Sequence, residues 1–113
     1  MPPEKTVLRL GEHRQRSKTT YFERTELLQL LRLYSRKVAS GEWRDYALDH
    51  REGVALFSVF RHTHESPAFT IVKRVARGSG EFAVFRGPQR LGGAPTLAEV
   101  LKIFRAKPSL VTA

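Results

Sequence analysis

His62-x-His64-Glu65 is the nearest thing to a metal-binding pattern in the chain. Two histidines at i and i+2 on a strand end face the same way, and with a carboxylate they could hold Zn²⁺. A further ligand would have to come from outside the turn, and His50 lies elsewhere. Histidines in a polar turn are ordinarily solvated, so no metal site is expected. Glu42, Asp45 and Asp49 could supply acid–base carboxylates, but carboxylates flanking basic residues read more simply as surface pairs, or as a buried structural pair with Arg44 or Arg61. Ser58 sits in an apolar run without the sharp turn that activates a nucleophile. Gly87-x-x-x-x-Gly92-Gly93 lacks the Lys-Ser/Thr that would make it a phosphate loop. No set of residues spells a catalytic apparatus or a cofactor cradle, and the expectation is a non-enzymatic protein without a cofactor.

The basic residues offer a different chemistry. Lys73, Arg74, Arg77, Arg86 and Arg90 are spread over two neighbouring strands, interleaved with Phe69, Phe82 and Phe85. A sheet face carrying Arg, Lys and Phe could contact phosphates and stack single-stranded bases. The competing reading turns the phenylalanines into the core, with Phe69 and either Phe82 or Phe85 inward, and leaves only the charges in water. Phosphate contact then survives without base stacking.

The global balance agrees with an anionic partner. The 113 residues carry 20 Lys and Arg against 11 Asp and Glu, a formal charge of +9. That favours nucleic acid, acidic proteins or anionic lipid surfaces. The charge is uneven: the first 20 residues and residues 67–90 are basic, while residues 42–66 are net acidic. Cysteine is absent, which excludes disulfides, thiolate metal sites and cysteine nucleophiles. No apolar leader and no apolar run of membrane-spanning length is evident. The expectation is a cytoplasmic protein with no membrane association.

These side chains need elements to hold them. Residues 1–19 read as a flexible basic arm, and residues 20–113 as a single α+β domain. Leu27, Leu30, Leu31, Tyr34 and Val38 recur at helical spacing, with Arg32, Arg36 and Lys37 on the remaining face. Glu23 or Thr25 can cap the start and Gly41 can follow the end, which predicts a helix from about Arg24 to Ser40. Three or four antiparallel strands follow: Trp43–Asp49, Val54–Arg61, Ala68–Ala76 and Glu81–Arg86, joined by turns too short for crossovers. Residues 87–95, with three Gly and two Pro, read as a loop. Thr96 and Glu99 form a capping box for a last helix whose apolar face is Leu97, Val100, Leu101 and Phe104, opposed by Lys102 and Arg105. The predicted fold is an antiparallel sheet of three to four strands packed on one face against an N-terminal and a C-terminal helix.

Between the first helix and the first strand lies Gly41-Glu42-Trp43-Arg44-Asp45-Tyr46-Ala47-Leu48-Asp49, which holds the sole tryptophan among charged residues. Pairing across a four-residue loop would set Trp43 near Phe60, Asp45 near Ser58 and Tyr46 near Phe57. The aromatic pairs would contribute roughly 0.5–1 kcal/mol each. Trp43, Asp45 and Tyr46 are therefore read as structural residues, with Asp45 on the core side and in need of a partner.

Three runs carry a resemblance to a known family: Tyr21-Phe22-Glu23-Arg24-Thr25-Glu26-Leu27, Leu33 through Asp49 with its Gly-Glu-Trp-Arg-Asp-Tyr-Ala core, and Leu56-Phe57-Ser58-Val59-Phe60-Arg61. Over about residues 20–76 the chain resembles DUF2794, an alphaproteobacterial family of unknown function. The resemblance implies a small bacterial cytosolic protein and transfers no catalytic residues. Function is therefore expected from the surface alone: a small binding domain with nucleic acid as the leading ligand on a basic sheet face, through Lys73, Arg74, Arg77, Arg86 and Arg90. An acidic protein is the other candidate ligand. The alternative is a protein-interaction module or homodimer that uses an apolar sheet face.

Overall fold

A computed structural model describes residues 19–62, 66–76 and 79–105. The order is one long helix, α1 (Arg24–Ala39), then β1 (Asp45–Arg51), β2 (Val54–Phe60), β3 (Phe69–Ala76), β4 (Ser79–Arg86) and β5 (Gln89–Ala94). A single helical turn, α2 (Leu97–Val100), runs into a 3-10 turn over Leu101–Phe104. The five strands form one antiparallel sheet in the order β1-β2-β3-β4-β5, so each strand pairs with its sequence neighbours.

The helix ends follow from local chemistry. Glu26 turns back so that its carboxylate accepts the Glu23 backbone N–H at 2.7 Å, which satisfies a donor that the first turn would leave unpaired. At the other end Gly41 takes φ +81, a conformation that costs a residue with a Cβ. The Ser40 and Gly41 N–H groups donate to Arg36 and Val38. Leu30 and Leu33 bury fully, with Leu27, Leu31 and Tyr34 packed beside them.

Both helical elements cover the same face of the sheet. Ala55, Phe57 and Val59 of β2, Ile71 of β3, and Phe82 and Val84 of β4 point into one core with Leu30, Leu33, Leu97, Val100 and Phe104. β2 alternates half-buried and buried along its whole length, the signature of a strand covered on one side. On the other face, no element among the described residues packs.

The α+β class and the antiparallel sheet are as expected, but the sheet has five strands rather than three or four. The segment read as a loop is β5. Its two-residue Gly87-Pro88 turn begins at φ +60, which suits a tight hairpin. Glycine ordinarily weakens a strand, yet a Cβ built at Gly92 would lie 2.8 Å from Cδ1 of Ile103. Gly92 is therefore the gap into which the 3-10 turn settles. A bulge accompanies it: pairing steps from Val84↔Gly92 to Phe85↔Arg90, leaving Leu91 over the core. The C-terminal helix is correspondingly shorter than the apolar spacing predicts.

The β1–β2 register also differs. The pairs are Asp45↔Phe60, Tyr46↔Val59 and Leu48↔Phe57, and the loop is only Glu52-Gly53. Trp43 precedes the strand, while the Arg44 N–H donates to the Phe60 carbonyl at 2.7 Å. The two-residue shift preserves the parity of every side chain on β1. Tyr46 still reaches Phe57 diagonally, with ring centroids 5.2 Å apart.

Candidate basic groove

The residues expected to form a basic sheet face do not share a face. Lys73 lies on the covered side. It is 8% exposed, and its ammonium donates at 2.8 Å both to Oε1 of Glu26 on α1 and to the Tyr21 carbonyl. It is a structural cation tying the helix start to the middle of the sheet, and no phosphate can reach it. Arg74, next in sequence, is exposed on the open side with Arg90. Glu81 is the register partner of Arg74 and lines the same clefts as Arg74 and Arg90, so this surface mixes both signs. Arg77 lies outside the described residues. Arg86 is at the end of β4, on the helix side of the sheet, with its guanidinium 3.4 Å from Oε1 of Gln89. Of the phenylalanines, Phe82 is buried, Phe69 packs against the core, and Phe85 points to the open side.

The other singled-out groups are also dispersed. Trp43 is 4% exposed, wedged edge-on against Phe104 at 5.4 Å and beside Phe69 at 6.2 Å. Asp45 is not on the core side; it is exposed on the open face, and its carboxylate accepts the Tyr46 N–H at 2.8 Å. Asp49 pairs with Arg51 at 2.6 Å, and Glu42 accepts from Lys37 at 3.2 Å and from the Ser40 hydroxyl at 2.8 Å. The three carboxylates do not converge. His62 is exposed, while His64 and Glu65 lie outside the described residues. His50 lies against Tyr21, with ring centroids 4.7 Å apart and the planes tilted by 42°. Among the described residues there is no cluster of three metal-ligating side chains.

What the structure does bring together is a second set of cations. A cleft of about 200 Å³ between α1 and α2 is lined by Arg32, Arg36 and Arg105 with Gln29, Leu33, Ala98 and Leu101. It shares Leu33, Arg36 and Arg105 with a cleft of about 450 Å³ that also touches Lys37, Ser40, Glu42 and Phe104. That in turn shares Lys37, Glu42 and Phe104 with a third cleft of about 260 Å³, where Arg61, Arg86, Trp43 and Phe69 complete the wall. These shared residues make the three clefts neighbours, a groove along the helix layer and around the end of the sheet. Among the described residues, six cationic side chains line it against the carboxylate of Glu42, which Lys37 and Ser40 already engage.

Arg32 and Arg36 stand one helical turn apart, an arrangement of like charges that weakens an isolated helix slightly. Among the described residues, the ion pairs are Lys37–Glu42, Arg51–Asp49 and Lys73–Glu26, and none involves Arg32, Arg36, Arg61 or Arg105. The aromatic wall is structural rather than a stacking platform, since Trp43 and Phe104 are 4% and 8% exposed. The groove therefore offers guanidinium groups and little exposed π-surface.

Sequence reasoning missed this groove. Its signal was present: two separate helical segments each set arginines on the polar side of an apolar stripe. What sequence alone lacks is the fact that α1 and the C-terminal turn pack side by side on one sheet face, which merges the two polar sides.

Comparison with known proteins places the chain in a family. The model of DUF2794, a protein of unknown function, matches residues 20–87. The chain belongs to that family. No curated protein and no solved structure matches. No helix among the described residues is long and apolar enough to cross a membrane.

Proposed function

We propose that the protein is a non-enzymatic binding domain for nucleic acid, and that it holds the phosphate backbone in the helix-side groove rather than on the sheet. The observation that carries this reading is the concentration, among the described residues, of six cations against one engaged carboxylate in three adjoining clefts. Guanidinium groups match phosphate oxygens in a planar, forked geometry. A chain of phosphodiesters would let Arg32, Arg36 and Arg105 at one end and Arg61 and Arg86 at the other act together. With the aromatic wall buried, nothing in the groove reads a base edge or stacks on a ring, so binding is independent of sequence. Of the sheet-strand residues first considered, Arg86 belongs to this surface.

The test is fluorescence anisotropy with a labelled oligo-dT and a labelled duplex at two salt concentrations. Engagement of about four of these cations gives a log–log salt slope near −3 on the single strand. The charge-reversal variant Arg36→Glu/Arg105→Glu removes binding at low salt and leaves thermal stability near that of the parent, since both side chains are exposed. The alternative, charge-driven contact from the open sheet, predicts instead that Arg74→Glu/Arg90→Glu is the damaging pair. Absence of binding at low salt, or binding insensitive to salt, overturns the nucleic-acid reading altogether.

A further inference from the structure

The end of the groove that carries Trp43 differs from the rest of it. Three apolar side chains there are only half-buried: Phe69 at the start of β3, Leu91 beside the β5 bulge, and Ile103 of the 3-10 turn. They flank a hollow of about 260 Å³ whose inner end is closed by the buried rings of Trp43 and Phe104. Cations stand around its mouth. Arg61, just past β2, and Arg86, the last residue of β4, are both exposed, and the Lys37 ammonium lies 6.0 Å from the Trp43 ring centroid. Register accounts for the grouping. Thr70 pairs with Phe85, so Phe69 and Arg86 are the next neighbours across β3 and β4. Phe69 also pairs with Val59, two residues before Arg61. The pleat turns all of these toward the helix side.

We propose that this hollow binds a small amphipathic carboxylate, a single carboxylate head on a compact apolar body. The lining selects that class over other occupants. Guanidinium groups bind carboxylates through paired, charge-assisted hydrogen bonds. Among the described residues Arg61 has no ion pair. Arg86 has only a neutral partner, Gln89, at 3.4 Å. Glu42 shares the mouth, but its carboxylate is turned onto Lys37 and the Ser40 hydroxyl. The two arginines therefore supply the head site.

The body is set by the sides of the hollow. An inorganic anion would satisfy the arginines and leave Leu91 and Ile103 in water. A nucleobase would press its polar edges against those aliphatic groups, which return no hydrogen bond. A neutral hydrocarbon would make no use of the cations. At about 260 Å³ the hollow falls just short of the roughly 300 Å³ at which drug-sized ligands begin, so the body is a ring or a short branched chain. The inference does not rest on the nucleic-acid reading, because Arg32, Arg36 and Arg105 lie outside this hollow.

Proton–nitrogen correlation NMR on the full chain, titrated with isocaproate, isocaproamide and acetate, separates head from body. Isocaproate is expected to shift the backbone signals of Arg61, Leu91 and Ile103 with a dissociation constant below about 1 mM. The amide lacks the charge and acetate lacks the body, and each should bind at least about ten-fold more weakly. Arg61→Gln/Arg86→Gln, at two exposed positions, should weaken isocaproate at least about ten-fold and leave the amide unchanged. Arg36→Glu/Arg105→Glu, the pair that tests the nucleic-acid reading, should leave isocaproate within a few-fold of the parent, so the two readings fail separately. Spectra that isocaproate leaves unchanged at about 10 mM overturn the proposal. Acetate or the amide binding as tightly as isocaproate also overturns it, since one half of the ligand then suffices. So does isocaproate binding that survives Arg61→Gln/Arg86→Gln, because its head then sits elsewhere.

Discussion

Lys73 and Arg74 follow one another along β3 and carry the same charge, yet the pleat sends them into environments with nothing in common. Lys73 enters the helix-covered side, gives up water, and recovers the cost through Glu26 and the Tyr21 carbonyl. Arg74 stays in solvent above an apolar strip with Glu81 across from it. The two faces of one sheet therefore differ in what a charge does there. On the covered face it is part of the architecture; on the open face it stays in water. Counting basic residues along the strands merges these two roles, and alternation of side chains separates them.

That division can be broken or sharpened by substitution. The largest loss is expected for Trp43→Ala on the covered side. It removes the indole from between Phe104 and Phe69 and leaves a cavity at the junction of sheet and C-terminal turn, at a cost of about 3–5 kcal/mol in denaturant unfolding. Lys73→Met comes next, at about 3 kcal/mol, because Glu26 would be left largely buried without its cation. The double variant Lys73→Met/Glu26→Leu should recover most of that loss. If it does not, the pair is fixing the helix to the sheet in some way that apolar packing cannot replace.

Tyr34→Phe should cost about 1 kcal/mol, the usual value of a single hydrogen bond, here from the phenol to the Arg44 carbonyl at 3.0 Å. Burial raises the Tyr34 pKa, with Asp45 and Tyr46 adding to it. The folded state thus holds that proton more tightly than the unfolded chain, so the contribution is intact below the ordinary phenol value of 10.0 and fades as pH rises past it. Arg74→Met on the open side should change stability by no more than about 0.5 kcal/mol. A loss from Arg74→Met as large as that from Lys73→Met would erase the distinction between the faces.

Much of the fold is legible because it rests on periodic burial. The α1 boundaries follow from Leu27, Leu30, Leu31 and Tyr34 at helical spacing and from Glu23 and Gly41 at its ends. β2 announces itself by an apolar run too short for a helix. β5 is illegible for a physical reason: Gly92 and Gly93 look like chain breakers until Ile103 is seen to need the space above Gly92. The burial of Lys73 is hidden likewise. Its partner Glu26 is 47 residues away in sequence, and only the packing of α1 over β3 brings the two charges together. The basic groove fails to show for a related reason. Arg32, Arg36 and Arg105 belong to elements at opposite ends of the domain, and no local pattern joins them.

The placement of Trp43 has a use beyond the stability it gives. It is the only tryptophan, it is shielded from water, and the Lys37 ammonium stands 6.0 Å from its ring centroid at the wall of the groove. The protein therefore carries its own optical reporter at one particular address. An anion drawn to Lys37 and Arg61 would alter the field around the indole and shift its emission. Contact on the open face, across the sheet from the indole, would leave it silent. A single unlabelled sample can thus distinguish, by the colour of its fluorescence, which of its two surfaces has been engaged.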